Sequence, residues 1–199
     1  MKFIDRAFGT TLLAFATGSL AGALLIAFSA TFRKFMAFLL TARAIAPIRA
    51  ASTLGGIAVT MLVFLNNCLP VLLSFLYPAI IAKVQWQPPI RDPTRNHLLA
   101  AFSLVAAGLL GFFDLGATLM LASKIGGAIM VNRLLATSWI HAPLEFLFVL
   151  ICVAEPLRVA RRRIVGKGII GSLRGDLKLL FISLLGLLVS AVIEVVVGL

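Results

Sequence analysis

Six polar residues of this chain stand inside long hydrophobic runs: Asn66, Asn67, Asp114, His141, Glu145 and Glu194. His141 and Glu145 are four positions apart, which puts both on one face of an α-helix. A carboxylate at membrane depth costs at least about 2.5–3.5 kcal/mol on insertion scales, so it is rare unless it faces protein or water. Burial raises a carboxyl's pKa, and a protonated imidazole one turn away lowers it, so the pair is suited to sharing a proton or a hydrogen bond. Asparagine amides can donate to the one and accept from the other. Metal ligation is a weaker reading, because one histidine and three carboxylates spread over three runs form no recognised ligand spacing. No H-E-x-x-H, G-x-S-x-G or Walker A sequence occurs. The expectation is therefore no catalytic residue, no metal and no cofactor.

The elements that carry these residues follow from composition. Of 199 residues, 61% are hydrophobic and 13% charged, and the mean hydropathy is +1.11. Soluble domains run about 45–50% apolar and about 25% charged. The apolar residues come in continuous runs without alternation, which argues against a β-barrel. The fold class expected is all-α, a polytopic transmembrane helical bundle. The net charge of +11 does not point to nucleic acid, because Lys and Arg cluster between the apolar runs as topology signals and headgroup contacts do. Cys68 and Cys152 lie inside apolar runs without CxxC spacing, which suits free buried thiols.

Five spans are expected, at about residues 8–30, 53–82, 98–122, 134–157 and 179–198, within one membrane domain. Lys2 and Arg6 precede the first run like a signal peptide, but the run is too long for one, so it reads as a retained span. Residues 31–50 carry Arg33, Lys34, Arg43 and Arg49 in a stretch too short to span, which reads as an interfacial amphipathic helix ended by Pro47. Pro70 and Pro78 predict a kinked or broken second half of span two. Residues 83–97 read as a polar, proline-rich loop with Trp86 as an interface anchor. Gly18 and Gly22 in span one, and Gly108 and Gly111 in span three, leave room for close helix packing. Glu155 and Arg158 read as an i,i+3 ion pair at headgroup level, adding only tenths of a kcal/mol.

A rise of about 1.5 Å per residue sets the depths. Asn66, Asn67 and Glu145 fall near their span centres, with Asp114, His141 and Glu194 in the outer half. The six polar residues are thus expected in one layer, meeting inside the bundle. With the N-terminus inside, twelve Lys/Arg fall on the inner side and six on the outer. That bias predicts a cytoplasmic N-terminus and an external C-terminus, although the four basic residues of 31–50 run against it.

Three motifs together resemble the stage II sporulation protein M family. Its members carry an N-N pair in an early helix, H-G-x-x-E in a later one and roughly A-x-I-E near the C-terminus. Here Asn66-Asn67, HAPLE at 141–145 and AVIE at 191–194 occur in that order. Ala142 stands where the family usually has glycine, Asp114 roughly where it has asparagine, and Glu155 where it is usually small. The resemblance implies a multi-pass cell-membrane protein of bacteria or archaea. It implies a non-enzymatic scaffold in a cell-envelope complex, with the bilayer and other membrane or envelope proteins as partners and self-association possible. The alternative is a transport or channel subunit that uses the intramembrane carboxylates and His141 as a polar or proton path.

Overall fold

In hydrocarbon the backbone has no water to bond, so apolar runs of this length fold as helices that satisfy their own amides. The computed structural model describes residues 4–42, 49, 51–84, 93–164 and 173–198. Every regular element among them is helical: α1 (Arg6–Phe28), α2 (Ala30–Leu40), α3 (Gly56–Val84), α4 (Pro93–Leu110), a π-helical segment (Gly111–Ala117), α5 (Thr118–Ser138), α6 (His141–Val153), α7 (Glu155–Ile164) and α8 (Leu173–Gly198). Arg43 and Pro47 of the expected surface helix lie outside the described residues. So do Trp86, Pro88 and Pro89 of the expected loop, and Lys167 after the basic run.

Among the described residues, four helical stretches are long and apolar enough to cross a membrane: Arg6–Phe28, Gly56–Tyr77, Asn96–Ser138 and Asp176–Val196. The third has 43 residues. Drawn straight it would measure about 65 Å, twice a hydrocarbon core of about 30 Å. It is not straight. Gly127 sits at φ +60°, ψ −153°, outside helical geometry, a conformation open to glycine and strained for residues with a Cβ. A continuous helix would hold Leu119 and Ser138 about 28 Å apart, yet both line one cavity. The chain doubles back at Gly127.

The return stretch differs from the single helix expected over 134–157. It is helical to Ser138, turns at Trp139 and Ile140, resumes as α6, turns at Ala154 and resumes as α7. Two prolines account for the breaks. Pro143 has no amide hydrogen, and its ring would clash with the carbonyl of Trp139 in a continuous helix. As third residue of α6 it stands where amides lack helical partners anyway. Pro156, second in α7, ends α6 in the same way. The prolines of span two behave differently: α3 is helical without interruption from Gly56 to Val84, past Pro70 and Pro78. The connection expected at 123–133 is helical too, apart from Gly127.

The tightest packing joins α1 to α4 and the π segment. A Cβ on Gly18 would strike the Gly108 backbone, one on Gly111 the carbonyl of Phe15, and one on Gly116 the carbonyl of Ser19. At Gly22 it would stop 2.5 Å from the Phe112 carbonyl oxygen. Ala100 packs in one cluster with Ala7, Gly108 lies by Ala14 and Gly116 by Ser19, so α1 and the stretch from α4 through the π segment run parallel. All four packing glycines named from the sequence lie on this seam, and Gly116 extends it. Phe15 then meets Phe146 of α6, ring centroids 5.1 Å apart. In α3, Val59 and Val63 pack with Ala191 and Val195 near the end of α8. At its other end Tyr77 stacks on Phe102 of α4 at 4.5 Å. Cys68 and Cys152 are free and buried.

Most of the described part of the expected 31–50 helix is α2. At 11 residues it is about 16 Å long, too short to span. Met36 buries against Ile26, Ala117 and Leu121. Arg33 reaches back to donate to the carbonyls of Ile26 and Ala27 at 3.0 and 3.1 Å, groups that lack partners at a helix C-terminus.

The glycine seam makes a paired prediction. Gly111→Ala drives a methyl into the Phe15 carbonyl and is expected to lower both the yield and the melting temperature of detergent-purified protein. Gly9→Ala, where nothing lies within 4 Å of the added carbon, is expected to leave melting unchanged or raise it, since it adds up to about 1 kcal/mol of helix propensity. Equal melting curves for the two variants would contradict the seam.

Candidate functional site

The helical hydrogen-bond pattern is interrupted at Trp139–Ile140, and a cavity of about 380 Å³ lies beside it. Four of the six sequence-selected polar residues line that cavity: Asn66 and Asn67 from α3, Asp114 from the π segment, and Glu145 from α6. Asn66 Nδ2 donates to Asn67 Oδ1 at 3.3 Å. Trp139 and Phe146 supply aromatic walls.

Local backbone explains how Asp114 arrives there. A π-helix bonds from i to i+5 and widens the turn, a device frequent at functional sites. Gly111 and Gly116 bury against α1, while Asp114, between them, lines the cavity. Thr118 Oγ1 donates to the Phe113 carbonyl, five residues back, at 2.9 Å. That bond serves a carbonyl of the widened turn. Glu145 reaches the same cavity because the break lets α6 begin at His141, one turn before it.

His141 goes to a neighbouring place. It is buried, with Nε2 4.0 Å from Glu194 Oε2 of α8. Ser190 Oγ, one turn before Glu194, donates to the His141 carbonyl at 3.1 Å. Nδ1 of His141 is buried without a hydrogen-bond partner among the described residues. The structure therefore divides the expected cluster into two adjacent groups. Asn66, Asn67, Asp114 and Glu145 share the cavity, and His141 meets Glu194 across the α6–α8 contact. Among the described residues no three of His, Cys, Asp or Glu gather as metal ligands would.

A third polar group was not assembled from the sequence. Arg158 and Glu155 form the anticipated i,i+3 pair, Nη1 to Oε2 at 3.1 Å, but their side chains are only 7% and 2% exposed. The pair is buried rather than held among headgroups. The reason is Asp5, the residue before α1. Its carboxylate accepts from Arg158 Nε at 3.0 Å and Nη2 at 3.3 Å, a bidentate geometry. Arg158 Nη1 also donates to the Ile151 carbonyl at 2.8 Å. Asp5 further caps α1, accepting from the Phe8 amide at 2.9 Å. That cap was legible in the sequence as an acidic residue before an apolar run. Its pairing with a residue 153 positions away was not.

Burial works against ionisation of Asp5, but the hydrogen bonds from Arg158 and the Phe8 amide outweigh it and hold the carboxyl below its ordinary pKa. A carboxyl with a lowered folded pKa contributes stability above its unfolded value near 3.9, and the contribution is lost as pH falls through the folded value. Asp5→Asn keeps a good N-cap and removes the charge. With the Asp5 side chain 35% exposed, solvent screening limits the loss to on the order of 1 kcal/mol at pH 7. Melting curves of the two proteins in detergent are expected to converge below about pH 4. A difference that stayed constant down to pH 3 would assign the effect to packing instead of charge.

No protein-family model, no curated protein and no solved structure matches this chain, so its function is argued from its own residues.

Proposed function

We propose that this chain is a multi-pass protein of a prokaryotic cell membrane. It crosses five times, with the N-terminus cytoplasmic and the C-terminus outside, and α2 lies at the interface. In this reading Asn96–Ser138 contributes span three and, beyond Gly127, the start of the broken span four that α6 completes. The protein serves as a non-enzymatic scaffold for other membrane or envelope proteins, in the manner implied by its resemblance to the stage II sporulation protein M family. The observation that supports this is convergence. The Asn66-Asn67 pair and Glu145 of the His141–Glu145 motif line one cavity, and His141 meets Glu194 of the third motif. Residues far apart in sequence thus form two adjacent polar groups, one between α3, the π segment and α6 and one between α6 and α8.

A second reading, a polar or proton path, is favoured by the cavity itself. Broken helices and carboxylates at membrane depth recur where transporters bind their cargo.

The experiment that separates them uses the purified, tagged full-length protein. Under the scaffold reading, gentle solubilisation recovers stoichiometric membrane or envelope partners, and liposomes holding the protein alone pass neither protons nor solute. A pH-dependent flux abolished by Glu145→Gln would overturn the scaffold in favour of the path. The same preparation, labelled at a cysteine placed before Leu199 in a Cys68- and Cys152-free background, checks the orientation. Labelling only after permeabilisation would reverse it.

A further inference from the structure

The basic run Arg161-Arg162-Arg163 follows a stretch that lies deep in the bundle. Residues 151–160 are buried without a break. Successive helical residues point about 100° apart, so a buried run of this length is enclosed on every side. Ala7 of α1 packs with Leu157, and Leu99 and Ala100 of α4 pack with Val159 and Ala160, joined by Tyr77 of α3. α7 therefore leaves the bundle through its interior. Arg161 is its first exposed residue, and the helix continues through Arg162 and Arg163 to Ile164.

Other cations flank this exit. Arg6 opens α1 beside Asp5, which holds Arg158. Ser183 of α8 accepts from Cys152 Sγ at 3.2 Å and Ser190 lies at His141, so α8 runs antiparallel to α6 and its Lys178 falls at the same end. Arg6, Arg161 and Lys178 are exposed, and none of the three is in an ion pair among the described residues. The described carboxylates here turn inward: Asp5 and Glu155 bind Arg158, and Asp176 is buried. Pairing cannot neutralise the face. Residues 1–6, 83–97 and 155–178, which begin or join the helices at this end, hold twelve Lys and Arg against four Asp and Glu.

Lipid headgroups meet a bundle at its rim, whereas α7 exits with protein between it and the bilayer. The exit opens on the aqueous side. Guanidinium forks match carboxylates, and a basic face steers an acidic surface toward it across about one Debye length, about 8 Å at physiological salt.

We propose that this exit, with Arg6, Arg161 and Lys178 around it, is the docking face for an acidic segment of a water-soluble partner protein. The proposal rests on the scaffold reading and names the side and the chemistry of one partner.

The full-length protein in phosphatidylcholine nanodiscs is titrated against a fluorescein-labelled peptide of alternating Glu and Ser, read by anisotropy. Saturable binding that weakens as salt is raised is expected. Two variants that lose equal charge locate it. Arg161→Gln/Arg162→Gln/Arg163→Gln is expected to weaken binding about ten-fold or more. Lys34→Gln/Lys124→Gln/Arg133→Gln, toward the opposite end, is expected to change it less than about two-fold. Each is checked for folding by gel filtration. Should the arginine variant fail to fold, Arg6→Gln/Lys178→Gln must weaken binding about three-fold or more. No saturable binding, or equal weakening in both triple variants, would overturn the proposal. So would anionic phospholipid that co-purifies in detergent with the wild type and is lost only from the arginine variant, because the face would then be a lipid site. Partners recovered equally with the wild type and with the arginine variant would keep the scaffold reading and end this docking face.

Discussion

Backbone that leaves the helix at membrane depth must be enclosed by protein or open onto a cavity, because hydrocarbon offers its amides and carbonyls nothing. The chain leaves helical geometry at Gly127, and the helical hydrogen-bond pattern is interrupted at Trp139–Ile140 and at Ala154, where the backbone stays in the right-handed helical region. Of these points Ala154 is sheltered by neighbouring helices, while Gly127, Trp139 and Ile140 are exposed. Ala154 is fully buried, packed with Ala7 of α1 and Leu157 of α7. The Trp139 turn is flanked by α3 and the π segment across the cavity. The polar residues sit where the breaks are.

Close approach of α1 is what allows this. The α1–α4 seam uses backbone against backbone, so three helices can gather around Phe15 and Phe146 without a bulky layer between them. The π segment is part of the same solution. Its glycines face α1 and its aspartate faces the cavity, which a regular helix with its narrower turn would not divide in the same way. At the other end of α1, the Asp5–Arg158–Glu155 group locks α7 to the start of the first helix. A buried charge stripped of a partner costs several kcal/mol, so this contact sets position more than it adds stability.

The class of fold was readable directly, because nothing but a helical bundle accommodates runs such as Leu54–Ala82 or Leu179–Val197 at this charge content. The packing glycines were readable too, since small residues four apart on an apolar helix have few other uses. The site was readable as a list and only partly as a geometry. Asn66, Asn67, Asp114 and Glu145 do share one cavity, but His141, one turn before Glu145 on α6, meets Glu194 of α8 instead. Pro143 stands in the first turn of α6, whereas Pro70 and Pro78 lie within an uninterrupted α3. The reason lies in position. A proline in the first turn of a helix costs no hydrogen bond and fixes the start, whereas one deep in a long apolar helix is accommodated by its neighbours. Gly127 gave no local signal beyond Gly126 beside it, and the depth of Arg158 depended on Asp5, which only the fold brings near.

The account stands on the reversal at Gly127, since the broken return stretch, the cavity and the convergence of polar residues all follow from it. Paired cysteines at Thr118 and Ser138, in a background without Cys68 and Cys152, test it directly in native membranes. Both positions line the cavity, whereas an unbroken helix would hold them about 30 Å apart. The account predicts efficient cross-linking within one chain by a short bifunctional thiol reagent. Full reaction of each cysteine alone with no cross-link between them would contradict it.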